Sequence, residues 1–269
     1  MKFLNDSFFE ATYEANTVTI YIHVGFPKCG STSIQRSIRS GSGIFYPRAG
    51  THGRDSEHIS LALFLTGIDS YTRKFLSDEW VEWQHRLMMK QIGLSGQNVF
   101  LSSERLAALN DQQIRTLKSV FYNHDVEIVF VVRDREKYFR STWRHLVFTH
   151  DYPNDYDFFR EKMNNFDFDT VIAKFRKEFP VHVFSLDDEG LERGIKNLTG
   201  ANFTLLTENS GCPFSLAQEL QRFHSLIGTA VFKDTFTSAV KQKLKVSMLT
   251  ASSVAVHTDG FESFGSGLR

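Results

Sequence analysis

Hydrophobic residues along this chain fall into a few short, nearly unbroken runs separated by longer stretches of helical periodicity. Thr17–Val24, TVTIYIHV, is β-branched and almost continuously apolar, the pattern of a strand buried on both faces. NVFLS at Asn98–Ser102, EIVFVV at Glu127–Val132 and VHVFS at Val181–Ser185 repeat it. Between them the pattern predicts helices. Ser31–Arg39 sets Ile34 and Ile38 on one face before Ser40-Gly41-Ser42-Gly43 ends it. Asp78–Ile92 reads as an amphipathic helix with Ser77 as cap and two acids in its first turn. Further helices are expected after His58 in HISLALFL and over Asp111–Tyr122, Asp134–Thr149, Phe168–Phe179 and Glu189–Leu198. The segment GIFYPRAGTHGRDSEH is irregular and polar. Strands alternating with helices predict an α/β fold of three layers around a central parallel sheet.

Composition narrows the picture by exclusion. A chain of 269 residues that is 41% hydrophobic suits one domain with a substantial core, here expected over 1–269. Its main body would run over about 17–200, with a helical segment and Gly/Ser-rich tail over about 213–269. Acidic and basic residues balance at 31 each, which argues against a nucleic-acid partner. No apolar run approaches the ~20 residues of a membrane span, and the opening MKFLNDSFFEATYEANT lacks a signal-peptide core. Cys29 and Cys212 are too few for a disulfide framework or a cysteine-based zinc site. The expected compartment is the cytoplasm.

The chemistry concentrates after the first strand, in HVGFPKCGSTSIQ. Gly25 and Gly30 keep the spacing of the nucleoside-triphosphatase loop G-x-x-x-x-G-K-[ST], but Ser31 stands at the lysine position and Lys28 sits inside the loop. A Gly-bearing turn feeding a helix start gathers backbone N–H groups at the positive end of a helix, a ready site for phosphate or sulfate. A triphosphatase needs its lysine after the second glycine and a magnesium-holding carboxylate at a later strand end. Here Asp134 follows EIVFVV only after Arg133, which would set a cation beside any metal. An ordinary ATPase is disfavoured. Arg133 itself stands at the carboxyl end of a strand, where open α/β sheets bind ligands, and its guanidinium fork suits a phosphate.

These residues resemble the sulfotransferases that use 3′-phosphoadenosine 5′-phosphosulfate (PAPS). PKCGSTS resembles the family's 5′-phosphosulfate loop, P-K-x-G-[ST]-[ST]. Arg133-Asp134-Arg135 followed by Ser141-Thr142-Trp143 resembles its 3′-phosphate signature, R-D-P-x-x-x-x-x-S-x-[YW]. The resemblance runs from about Val18 to Trp143, with Asn209-Ser210 as a weak echo beyond. It implies a nucleotide-binding fold of P-loop type, PAPS as co-substrate without a metal, and an acceptor hydroxyl, with a carbohydrate among the acceptors considered. It also implies cofactor contacts from Lys28, Cys29, Gly30, Ser31, Thr32, Ser33, Arg133 and Ser141.

For the reaction, Lys28 is the candidate to neutralise the leaving 5′-phosphate. Two residues compete as base for the acceptor. Glu104 follows NVFLS at the sheet end facing the loop; its alternative is to cap the next helix or pair with Arg105 or Arg133. His58 has a suitable titration range but stands near a helix start, where a surface role is equally in keeping; His52, in a flexible Gly-flanked stretch, is weaker. Tyr46, Trp80, Trp83 and Trp143 could line an acceptor cleft, although the tryptophans also fall at core spacing.

The sequence departs from the cytosolic members of the family in three ways. Arg135 replaces a proline, Ser33 replaces the tryptophan that stacks on adenine, and no R-K-G-x-x-G-D-W-K element precedes Arg269. Bacterial and carbohydrate-modifying branches fit better. Two rivals remain: a small-molecule kinase with an atypical loop, dependent on ATP and magnesium, and a nucleotide-binding relative without turnover. Ser102, where some relatives keep a second lysine, favours the latter.

Overall fold

The computed structural model describes residues 18–51, 57–68, 72–150, 152–206 and 214–227. His52, Cys212, the Asn209–Ser210 run and the tail to Arg269 lie outside the described residues. Four strands, β1 (Thr19–His23), β2 (Val99–Ser102), β3 (Asp125–Val132) and β4 (Val181–Ser185), form one parallel sheet in the order β2-β1-β3-β4. The protein is thus an α/β protein with a central parallel sheet and helices around it. The helices are α1 (Ser31–Ser40), α2 (Ile59–Thr66), α3 (Asp78–Ser95), α4 (Asp111–Val120), α5 (Arg135–His150), α6 (Tyr156–Lys162), α7 (Phe168–Arg176), α8 (Leu191–Thr199) and α9 (Phe214–Ile227).

The near-continuous apolar strands are central because both of their faces are covered. Ile20, Ile22, Ile128, Val129, Phe130 and Val131 have no measurable exposure, and each contributes about 1.5–3 kcal/mol by leaving water. β4 is one edge, with Val183 exposed and His182 Nε2 meeting Glu127 Oε2 across the ladder at 2.6 Å. Charged and polar groups on an edge discourage further strand pairing. One helix start follows its predicted cap, Ser77, and another has a cap the sequence reading did not name. Ser77 Oγ accepts from the Trp80 N–H, and Asn110 with Gln113 forms a reciprocal capping box. α6 was not foreseen: it has seven residues capped by Asp155, too few to display a periodic stripe.

Topology fixes where a ligand would go. The chain leaves β1 through α1 for β2 on one side, then crosses by α4 to β3 on the other. The direction of winding therefore reverses between β1 and β3, and the crevice at their carboxyl ends is the usual binding place in such sheets. The segments leaving those two strands are the Lys28 loop and Arg133.

The chain divides into two compact units, Met1–Tyr138 with Phe166–Asn209, and Phe139–Asn165 with Ser210–Arg269. The first contains the sheet. The second has its own aromatic core around Trp143, which is fully buried, lies 5.2 Å from Phe214 and 5.8 Å from Tyr156 between ring centres, and donates from Nε1 to the Asn154 carbonyl. Trp143 is therefore a packing residue. Tyr46 is likewise buried, 4.6 Å from the His58 ring, and lines no cleft. Trp80 packs on the cluster of Ile59, Leu63, Leu76 and Val81, whereas Trp83, expected on the same core face, is 54% exposed.

Candidate active site

The loop after β1 is not slack. Val24 N–H donates to the Val129 carbonyl, Phe26 N–H to Val131, and Val131 N–H returns to Gly25, so the chain keeps pairing with β3 beyond the strand. Phe26 is buried against Phe130 and edge-on to Phe168, which pins the loop from below. Gly25 at φ 120° and Gly30 at φ 82° supply conformations that side chains resist. A Cβ at Gly30 would also come within 2.7 Å of a terminal methyl of Leu186, which would have to shift. Lys28 also has a positive φ, 65°. A left-handed lysine costs on the order of 1–2 kcal/mol, and strain of this kind clusters at functional sites.

α1 begins at this loop with no side-chain cap and no acid in its first turn. Its leading N–H groups and positive dipole end are thus left for an anion. Ser31 Oγ donates to the Phe26 carbonyl at 3.2 Å, Thr32 is half-buried, and Ser33 is buried. Cys29 turns inward: its thiol is fully buried, burial pushes it up to about 12, and its N–H is taken by the Phe26 carbonyl.

Arg133 stands at the end of β3 and reaches the same loop. Its Nη1 donates to the Lys28 carbonyl at 3.0 Å, joining two motifs 105 residues apart. Its Nε is buried and has no partner among the described residues. Beside it, Asp187 after β4 accepts from the Asp134 N–H and from Lys137 Nζ, both at 2.8 Å. Those bonds, Lys137 foremost, hold its carboxyl below the usual carboxylate range. Asp134 Oδ1 caps α5 by accepting from the Lys137 N–H. Among the described residues no group of three histidine, cysteine or carboxylate side chains is arranged to hold a metal. Ser141 lies on α5, in the second unit.

Glu104 begins a short 3-10 turn, Glu104–Ala108, directly after β2. Its backbone forms the wall over Gly25, 3.4–3.5 Å from where a Cβ would sit. Burial and, next, the Glu57 carboxylate raise the Glu104 carboxyl; Ser31, Lys28 and Arg105 pull the other way. Burial in turn lowers the Lys28 ammonium, while Glu104 raises it. The base candidate and the loop lysine therefore share one desolvated neighbourhood.

His58 has a different place. It is fully buried; Nε2–H donates to the Pro47 carbonyl at 2.9 Å, and Nδ1 accepts from the Ser102 N–H at 3.1 Å. Because a carbonyl only accepts and an amide only donates, the tautomer is fixed and neither nitrogen is free. Burial lowers the ring to about 4. His58 N–H also donates to the Ser102 carbonyl, so residue 58 is zipped to β2 on both sides.

Sequence reading missed the partners that complete this region. Ser102 Oγ accepts from Gln35 Nε2 at 3.0 Å and meets His23 Nδ1 at 2.8 Å, while Ser103 Oγ donates to Glu57 Oε1 at 2.6 Å. Gln35 left a faint signal as a polar residue on the apolar side of α1. Asp187 left a better one, an acid directly after a strand in SLDDEG. Glu57 left none, since its meaning arises only from pairing with residues 46 positions away.

No protein-family profile matches the chain, and neither does any curated protein. Among solved structures it is similar to a sulfotransferase from Alicyclobacillus acidocaldarius, at 15% identity over 77% of this chain and 95% of that one, with a TM-score of 0.49. It is also similar to a structure of the PezAT chromosomal toxin–antitoxin system of Streptococcus pneumoniae, at 14% identity over 85% and 86% of the two chains, with a TM-score of 0.34. Neither overlap assigns a function.

Proposed function

We propose that the protein is a sulfotransferase that moves a sulfuryl group from PAPS to an acceptor hydroxyl. The observation that carries this reading is the Arg133–Lys28 hydrogen bond at the β1/β3 crevice. It ties the Arg133 guanidinium to the backbone of the residue that carries the loop ammonium, next to an uncapped helix N-terminus, with the Glu104 carboxylate acting on the lysine. Two cations joined through one loop, with a carboxylate beside the lysine, suit a donor with an anionic group at each end and a neutral hydroxyl acceptor.

In this reading Glu104 takes the proton of the acceptor hydroxyl as its oxygen bonds to sulfur. The bond between sulfur and the 5′-phosphate oxygen breaks, and the charge arriving on that oxygen is met by Lys28 and the first N–H groups of α1. Arg133 binds the 3′-phosphate. Ser31 and Thr32 contribute hydroxyls to the loop. His58 is a structural post in this scheme, since both its nitrogens are held by backbone. The kinase reading would ask Asp134 to hold magnesium, but its Oδ1 is engaged in capping α5.

Calorimetry with 3′,5′-adenosine bisphosphate against ATP–magnesium tests the donor, and transfer of labelled sulfate to a panel of hydroxyl compounds, carbohydrates included, tests the reaction. Binding of the bisphosphate with labelled product is expected. Preference for ATP–magnesium would end the proposal in favour of a kinase; bisphosphate binding without product on any acceptor would favour a non-catalytic relative.

A further inference from the structure

Three features of Arg133 go beyond binding a ligand. Its Nη1 is committed to the Lys28 carbonyl at 3.0 Å. The residue owning that carbonyl is the one described non-glycine residue with a left-handed backbone. And the Arg133 Nε, buried beside that contact, has no partner among the described residues. A buried guanidinium N–H without an acceptor is costly, so the arrangement is incomplete until an acceptor arrives. Asp187, an acid whose carboxylate feels the Arg133 charge, is already engaged by the Asp134 N–H and Lys137 Nζ.

We propose that Arg133 is a positioning residue for the lysine loop: it props Lys28 in its left-handed conformation through the Lys28 carbonyl, and an anionic ligand that satisfies its remaining donors steadies that prop. The part of this concerning PAPS rests on the function proposed above. Arg133 thereby does two tasks with one planar group. Loading the guanidinium and placing the loop lysine become a single event, so a donor with both phosphoryl ends is used better than the sum of its separate contacts. A lysine could not replace it, because an ammonium is a point donor without the fixed fork.

A ligand lacking the 3′-phosphate separates the two tasks. If Arg133 touched only the 3′-phosphate, Arg133→Ala would leave the affinity for adenosine 5′-phosphosulfate unchanged. The prop predicts that Arg133→Ala weakens adenosine 5′-phosphosulfate by about tenfold or more, weakens 3′,5′-adenosine bisphosphate further, and recovers the first of these when guanidinium ion is added. Wild-type affinity of Arg133→Ala for adenosine 5′-phosphosulfate overturns the inference. Arg133→Lys is the second variant, used where the alanine variant shows no cooperative melt; loss towards both nucleotides upholds the prop, and loss towards the bisphosphate alone overturns it.

A ligand-free measurement keeps this separate from the assigned function. The carbonyl ¹³C resonance of Lys28 should shift in Arg133→Lys, because it loses its guanidinium donor. An unmoved resonance overturns the prop whatever the nucleotides do. A shifted resonance in a protein whose wild type binds neither nucleotide upholds the prop and removes the sulfotransferase reading instead.

Discussion

Two polar clusters stand at the carboxyl ends of β1, β2 and β3, and they differ in how completely their hydrogen bonds are made. Behind the loop, His58, Ser102 and Gln35 close on one another and on the backbone, and only the Nε2 of His23 has no partner among the described residues. In front, Lys28 is strained, α1 is uncapped, Arg133 carries an unmatched donor, and Glu104 and Lys28 are each shifted by burial away from the charged form. A closed network rigidifies a strand end; an open one holds its groups ready for something absent. Polar residues thus serve support in one cluster and, on our reading, chemistry in the other.

The largest effects should come from the open cluster. Glu104→Gln is expected to lower turnover on the order of 10²–10⁴-fold with nucleotide affinity nearly kept, and Lys28→Ala roughly 10²–10³-fold. Both are read from kcat and from calorimetric Kd. The pH profile adds a sign. Glu104 must be ionised to accept a proton, and burial followed by Glu57 raises its carboxyl. Turnover should therefore climb with pH over a range above that of an ordinary glutamate. The climb should vanish in Glu104→Gln and move to lower pH in Glu57→Gln. Equal loss of affinity and turnover in Lys28→Ala would reduce that lysine to a binding group.

The closed cluster should answer in stability. His58→Ala leaves the Ser102 N–H and the Pro47 carbonyl without partners and opens a hole under Tyr46. The expected loss is about 3 kcal/mol, read from the urea midpoint, while the folded variant keeps most of its turnover. A loss of turnover as deep as that of Glu104→Gln at unchanged stability would restore His58 as base.

How far these roles could be read from the sequence follows the same division. Sheet and helix order were legible because burial on both faces leaves a compositional mark in TIYIH and DVEIVFVV. Lys28 and Arg133 were legible because each follows a strand end at a motif's spacing. The hydrogen bond between them was not, since no pattern in either segment refers to the other. The setting of His58 was hidden for a related reason: a histidine's titration range is visible in sequence, but the two backbone partners of its ring are contributed by Pro47 and Ser102. Trp83 was placed on the core because three-residue spacing from Trp80 suggests one face, yet α3 buries Val81, His85, Met88 and Ile92 instead.

Acid should find the buried histidines next, two of them in the closed cluster and His85 on α3. His23, His58 and His85 are each lowered by burial to about 4, against about 6.5 in an unfolded chain. Their folded forms bind fewer protons, so their contribution to stability is complete above about 6.5 and drains away as pH falls towards about 4. At about pH 5 each ring should remove roughly 2 kcal/mol, visible as a falling urea midpoint. A midpoint flat over that interval would mean that these rings are open to water.

The smallest effect separates the clusters most cleanly, because its two readouts should move in opposite directions. Replacing Lys28 by glycine removes the left-handed strain at φ 65° together with the ammonium. Glycine accepts that backbone freely but loses more freedom on folding, so the net gain in stability is at most about 1 kcal/mol. Turnover should fall as in Lys28→Ala. Substitutions in a region shaped for stability lower stability and, through it, activity. A region shaped for chemistry should become more stable as it stops working. If Lys28→Gly lowers the melting temperature, the loop conformation is favourable in its own right, and the strain at Lys28 is no mark of function.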